Sequence, residues 1–355
     1  MAESQEVILS GVRPTGRLHY GNYFGAIKKF IELQEEGLKC YYFIADYHAL
    51  TSAKERVDYY QYTIDMLRTY VACGLDPKRA VIYRQSDLPC TAELHLLLSM
   101  ITNIGHLERG TTYKDAQAKL AEGSQKGTDG NPISYGLLGY PILMAADILI
   151  VKADKVPVGD DQRQHVEMAM DLAQKFNHRF DREVLKIPQT VERNALRLPG
   201  LDGGAKMGKS ENNDLGLMDD PAVVLKKIKS VPTTTDPSAI EGESNKAEDI
   251  IPQMAPGVGM LYRLLDLLAP QEMYEEFVGK YRNGEKFYGM LKNTVAEQVN
   301  LFNAPIIEKF NAPDNNKDFV ESFLEENARI VTPVALETVE SCREAIGIGR
   351  SLFRG

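Results

Sequence analysis

The stretch Gly11-Val-Arg-Pro-Thr-Gly-Arg-Leu-His-Tyr-Gly-Asn-Tyr-Phe-Gly25 decides the fold. It follows the apolar run Val7-Ile8-Leu9 and precedes the amphipathic Ala26-Ile27-Lys28-Lys29-Phe30-Ile31-Glu32-Leu33, so the order is strand, glycine-rich loop, helix. Such a helix start presents free backbone N–H groups to phosphate oxygens. Gly16 and Gly21 have P-loop spacing, yet Asn22-Tyr23 stands where the Lys-Ser/Thr pair should follow. An imidazole at His19, beside Gly21 and Asn22, is placed to donate to a phosphate whose charge grows in a transition state. The plainer alternative is that Gly21 and Gly25 allow close helix packing and His19 is a surface residue.

Working outward, short β-rich runs alternate with helical periods, which predicts a parallel α/β sheet wound with helices. Strands are expected at Val7 to Val12, Cys40 to Ala45, Ala80 to Tyr83 and Val156 to Val158, and helices at Asn22 to Glu36, Val57 to Cys73, 91 to 107 and Gln162 to Phe176. Residues 114 to 134, rich in Gly, Lys, Ser and Asp, read as a connection. From Pro221 onward β-type runs almost disappear, and 221–230, 255–268, 270–282, 285–310, 315–327 and 333–345 read as helices of a second, all-helical part.

Composition sets the outer limits. A chain of 355 residues favours two domains. Cys40, Cys73, Cys90 and Cys342 form no C-x-x-C pair, so neither a zinc site nor a disulfide framework is expected. There is no uninterrupted apolar run of membrane-spanning length, and Met1 to Glu6 lacks the pattern of a signal peptide; a cytoplasmic protein away from membranes is the expectation. The net charge of −9 argues against nonspecific binding of nucleic acid. A local basic strip, Leu225-Lys-Lys-Ile-Lys-Ser230, is either a nucleic-acid contact or a solvated helix face.

Three further features carry chemistry. Lys206-Met207-Gly208-Lys209-Ser210, after two glycines, is a hinged loop whose cations can close over a polyphosphate, the charge that the first loop lacks. Gly159-Asp160-Asp161-Gln162 sits where a strand turns into a helix, so it faces the same crevice as the first loop. There an aspartate either caps the helix or accepts from ribose hydroxyls, with Gln162 reaching a substrate. Asp147 lies in the apolar Leu137 to Val151, with Met144 one turn earlier, and a buried carboxylate needs a partner. That partner is either an internal Arg or Lys, or a large aromatic ligand bearing one N–H or O–H.

Together these motifs resemble the class I aminoacyl-tRNA synthetases, and within them the bacterial-type tryptophanyl branch. Pro14-Thr15-Gly16-x-x-His19-x-Gly21-Asn22-Tyr23 is similar to P-S-G-x-x-H/T-x-G-N-Y, and Lys206 to Ser210 is similar to K-M-S-K-S. Ala45-Asp46-Tyr47-His48-Ala49, Met144-Ala-Ala-Asp147 and Val156 to His165 resemble the tryptophanyl branch specifically, and the likeness runs from about residue 7 to Arg350.

The resemblance implies a Rossmann-type catalytic domain over 1–210, a helical anticodon-binding domain over 211–330, a segment 331–355 packing back on the first domain, and a homodimer. It implies ATP contacts at Arg13, Pro14, Thr15, Gly21, Asn22, Gly159, Asp160, Asp161, Lys206, Met207, Gly208, Lys209 and Ser210. His19, Lys206 and Lys209 would be catalytic. Asp147, Met144, His48 and Gln162 would hold tryptophan. ATP would be a substrate, with Mg²⁺ held mainly by its phosphates and no metal-ligand cluster in the protein. L-tryptophan and tRNA(Trp) would be the other partners. Tyrosyl-tRNA synthetase, or a synthetase-like nucleotide-binding regulator that has lost catalysis, are the rival readings. The chain departs from the pattern at Gly208, usually serine, at Arg13, often glutamine, and at Ala116, often lysine, where Lys119 could substitute.

Overall fold

Strand formation follows the β-rich runs: Val7–Val12 (β1), Lys39–Ile44 (β2), Ala80–Arg84 (β3), Lys155–Val158 (β4) and Gln189–Glu192 (β5). In the computed structural model, which describes residues 5–14, 16–53, 56–121, 133–192, 196–204, 206–233, 240–285 and 287–349, they form one sheet in the order β3-β2-β1-β4-β5. All neighbours are parallel, with Val7 opposite Lys39 and Cys40 opposite Ala80. The chain winds from β1 out to β3 and then returns to the other side of β1 to lay down β4. The crevice outside the carboxyl ends of β1 and β4 is therefore the topological switch point, where open α/β sheets bind ligands.

Alternating side chains give the sheet two buried faces. Ile8, Cys40, Tyr42, Ile44 and Ile82 enter one core, which runs without a break into Val224, Ile228, Leu261, Val299 and Val320 of the helical part. Val7, Leu9, Tyr41, Phe43 and Tyr83 enter the other, sealed by helices Cys90–Ser99, Tyr135–Ile150 and Asp160–Arg179. The helical part consists mainly of Pro221–Ser230, Pro256–Leu268, Gln271–Arg282, Tyr288–Phe310 and the long Lys317–Ile346.

Four expectations need correction. Residues 114–121 are not a connection but belong to the helix Thr111–Ala121, while 122–132 lie outside the described residues. The expected helix 91–107 ends at Ser99 and resumes only as the short Ile104–Leu107. β5 was not anticipated. The segments 315–327 and 333–345 are one helix, Lys317–Ile346, running through Pro333. Proline removes an intrahelical hydrogen bond and crowds the preceding turn, at a cost of about 3 kcal/mol. Here Val331, Ala335, Val339 and Cys342, all nearly inaccessible, bury the face around it and offset that cost.

Candidate active site

The first loop and the lysine loop meet at the switch point. Leu18 and Tyr20 hold the chain beside residues 215–217: Tyr20 N–H donates to the Leu215 carbonyl at 2.9 Å, Leu217 N–H to the Leu18 carbonyl at 3.1 Å, and His19 forms a β-bridge with Gly216. The next turn is closed by Asn22, whose Oδ1 accepts from His19 N–H at 3.0 Å. Gly21 has a clear reason to be glycine: a Cβ there would stand 3.0 Å from the His19 ring and 3.5 Å from Cβ of Met207. Met207 is thus packed onto the first loop, and at 1% exposure it anchors the lysine loop by its middle.

Electrostatics reports the same convergence. Burial lowers the His19 pKa, Asp214 opposes the shift, and the ammonium groups of Lys209, Lys206 and Lys227 add to it, so the imidazole is neutral near pH 7. Burial also lowers the Lys209 ammonium, again against Asp214. The loop is braced by Asn213, whose Oδ1 accepts from Gly208 N–H at 2.9 Å and whose Nδ2 donates to the Lys206 carbonyl at 3.2 Å. Gly208 itself has φ −166°, extended backbone open to any residue, so the fold does not impose glycine where the K-M-S-K-S pattern has serine. Lys227, read from sequence as part of a cationic strip, is turned inward to Asp219 at 2.8 Å and Asp214 at 3.5 Å; Lys226 and Lys229 remain exposed.

The second site lies at the carboxyl ends of β2 and β3. Asp147 is 3% exposed, and its partners are an amide and an imidazole, not the Arg or Lys considered from sequence. Gln85 Nε2 lies 2.8 Å from Oδ1 and 2.9 Å from Oδ2, and His48 Nε2 lies 2.9 Å from Oδ2. A carboxylate offers about four lone-pair sites, so three donor contacts leave room on Oδ1 for one more. Burial raises the Asp147 pKa above the ordinary carboxylate range, while His48 and Gln85 pull it back. Gln85 Oε1 in turn accepts from the N–H groups of Tyr47 and His48, at 3.1 and 3.3 Å, so one amide orients both members of the pair.

The other sequence-derived residues take the following places. Pro14 is buried and Arg13 exposed beside the first loop, whereas Thr15 lies outside the described residues. Gly159 is the N-cap of the helix Asp160–Arg179, at the carboxyl end of β4. Asp160, Asp161 and Gln162 form its first turn, with the two aspartate side chains outside the described set, and Ser210 lies in the turn Lys209–Glu211 with the same limit. Met144 is half-buried on the Asp147 helix and packs on the second core.

Sequence reasoning missed Gln85 and Tyr140. Gln85 directly follows β3, the strand-end position that flagged the other sites, and that rule applied to Arg84-Gln85-Ser86 would have found it. Tyr140 stands two turns before Asp147, with its ring edge-on to His48 at 6.1 Å and its hydroxyl bonded to His165 Nε2. Apart from its place in the same apolar helix, nothing in its sequence surroundings marks it.

Comparison with known proteins agrees with this geometry. A family model described as tRNA synthetases class I (W and Y) matches residues 1–303. A tryptophan–tRNA ligase from Porphyromonas gingivalis is 38% identical over 344 residues, covering 96% of this chain and 99% of that protein. One from Fusobacterium nucleatum is 36% identical, covering 97% and 99%. The crystal structure of tryptophanyl-tRNA synthetase from Campylobacter jejuni complexed with ADP and tryptophane superposes with a TM-score of 0.79 at 33% identity, covering 96% of this chain and 99% of that one. Sheet order, converging loops and full-length similarity agree, and this chain belongs to the class I tRNA synthetases, in the bacterial-type tryptophanyl branch, the tryptophan–tRNA ligases.

Proposed function

We propose that the chain activates L-tryptophan with ATP at the switch-point crevice and then transfers it to the 3′ end of tRNA(Trp). The tryptophan carboxylate attacks the α-phosphate, pyrophosphate leaves, and the terminal ribose hydroxyl of the tRNA then attacks the adenylate. The observation that carries this reading is Met207 packed beside Gly21, with Lys206 and Lys209 near enough to His19 to act on its charge. Catalysis then consists of positioning and charge stabilisation. Lys206 and Lys209 neutralise the departing pyrophosphate. His19, neutral, donates an N–H toward the α-phosphate. Backbone groups at Gly21, Asn22 and Gly159 face ATP, and the resemblance adds Arg13, Pro14, Thr15 and Ser210 to its contacts. Asp161 serves the ribose, Asp160 is a further ATP contact, and Mg²⁺ comes with the ATP phosphates.

Asp147 Oδ1 takes the indole N–H, with His48, Met144, Tyr140 and Gln162 around the amino acid. Among the described residues Oδ1 accepts only from Gln85, and this spare lone pair supports the assignment over a purely internal role. Pyrophosphate exchange into ATP, measured with each amino acid in turn, should respond to tryptophan alone. Exchange with tyrosine would favour the tyrosyl reading, and no exchange would favour a regulator that has lost catalysis.

The helical part, 211–330, is proposed to read the tRNA, with the exposed Lys226 and Lys229 supporting it. A second copy is proposed to cover Leu96, Met100 and Ile104, exposed by 52%, 70% and 65% along and just beyond the end of the helix Cys90–Ser99, which packs beside the Asp147 helix. Sedimentation of the purified chain at twice its monomer mass is the expected result, and a monomer would refute the dimer.

A further inference from the structure

The two halves of the phosphate site are not joined only to each other. Both are tied to one side chain of the helical part, which neither the reaction nor the motifs explain. Asn303, on the helix Tyr288–Phe310, is 1% exposed; its Oδ1 accepts from the Tyr20 hydroxyl at 2.9 Å, and its Nδ2 donates to the Gly216 carbonyl at 3.3 Å. Tyr20 directly follows His19 and is fully buried, and Gly216 is the residue bridged to His19. The tie is reinforced on each side. Tyr20 and Tyr23 pack their rings on Phe302, at 5.6 and 5.1 Å. Gly216 N–H donates to Asp219 Oδ2 at 2.9 Å, the same oxygen that takes Lys227 at 2.8 Å.

A buried amide with both ends used is costly to leave half-satisfied, so it specifies one arrangement of the groups it joins. The groups joined here are the residue after the imidazole, the segment 214–217 that follows the lysine loop, and a helix of the part proposed to carry tRNA. We propose that Asn303 is a positioning residue: it sets the register of the first loop against residues 214–217 and fastens both to the Tyr288–Phe310 helix, so the lysines reach the phosphates from a frame that includes the helical part. Asn303 touches no substrate and acts through Tyr20 and Gly216. The Asp147 pocket, built from β2, β3 and Tyr135–Ile150, shares none of these bonds. This inference rests on the activation reaction proposed above.

The test is a cycle on pyrophosphate exchange with Asn303→Ala, Lys209→Ala and the double variant. A small displacement of a positioned group costs roughly 10- to 100-fold in rate. Asn303→Ala should lower kcat by such a factor with the KM for tryptophan unchanged, and it should lower kcat little further once Lys209 is gone, because groups that act as a unit are not additive. Additive losses, an equal effect on the KM for tryptophan, or full activity would overturn the proposal. Should Asn303→Ala not fold, Tyr20→Phe removes one of the two bonds and carries the same test with a smaller loss. Backbone hydrogen exchange on the unliganded protein reads the clamp without catalysis. The Tyr20 and Leu217 amides should exchange faster in the variant while those around Gln85 do not, and unchanged exchange overturns the proposal. A wild-type chain with no tryptophan-dependent exchange would instead refute the activation reading and leave the amide measurement to decide the clamp.

Discussion

The phosphate crevice and the Asp147 pocket sit on the same edge of one sheet but are built in opposite ways. The pocket is a buried polar network: Asp147, Gln85 and His48 come from the Tyr135–Ile150 helix and two strand ends, and each orients another. The crevice is assembled from two loops almost two hundred residues apart, joined by Met207, a β-bridge and backbone bonds, with cations at its rim. The difference matches the tasks proposed for them. Choosing an amino acid needs a fixed acceptor whose burial penalises the wrong partner, whereas stabilising a leaving pyrophosphate needs cations that arrive with the charge.

Removing the acceptor is the largest test of that contrast. Asp147→Ala should abolish most of the discrimination between tryptophan and phenylalanine, on the order of 10⁴-fold, while ATP binding is retained. Exchange kinetics with both amino acids checks it, and intact discrimination would mean that shape alone selects the substrate.

The crevice should fail differently. Lys209→Ala is expected to slow exchange by roughly 10² to 10³, the range for losing one transition-state donor, with little change in tryptophan affinity. A matched loss of tryptophan affinity would show that the two sites are one.

The smallest effect concerns the imidazole of the crevice, His19. Burial depresses the His19 pKa, so between the ordinary histidine value and the lowered one the unfolded chain binds a proton that the folded chain refuses. The stability associated with His19 is present above about pH 6.5 and is lost as pH falls toward the folded-state value. His95, also lowered by burial, adds to the slope. Thermal melts should fall less steeply with acid in His19→Gln than in the wild type, and equal slopes would place the acid sensitivity elsewhere.

How much of this was legible depends on the range of the interaction. β1 to β4, the loop at Gly21, the lysine loop and Asp147 announce themselves locally, through period-two burial, glycine spacing, or a charge in an apolar run. Gln85 announces only its place at the end of β3, because its role comes from partners 37 to 62 residues away and its polar neighbours look like an ordinary turn. Asn303 is harder still, a polar residue in a helix whose partners lie 87 and 283 residues distant. The passage of a helix through Pro333 was illegible for the opposite reason: the local rule against proline is real, and only burial of the surrounding face overrides it.

That same helix has a consequence for how the chain is made. Val320, Phe323 and Leu324 belong to the core shared with the helical part, whereas Val331, Ala335, Val339 and Cys342 close the core on the other face of the sheet. During synthesis from the N-terminus, the second core, although covered by Cys90–Ser99, Tyr135–Ile150 and Asp160–Arg179, therefore lacks its last side chains until residues 331–342 have emerged, long after every proposed catalytic side chain has been made. The newborn chain then has its chemistry in hand before it has a finished interior, and it is most exposed to aggregation in that interval.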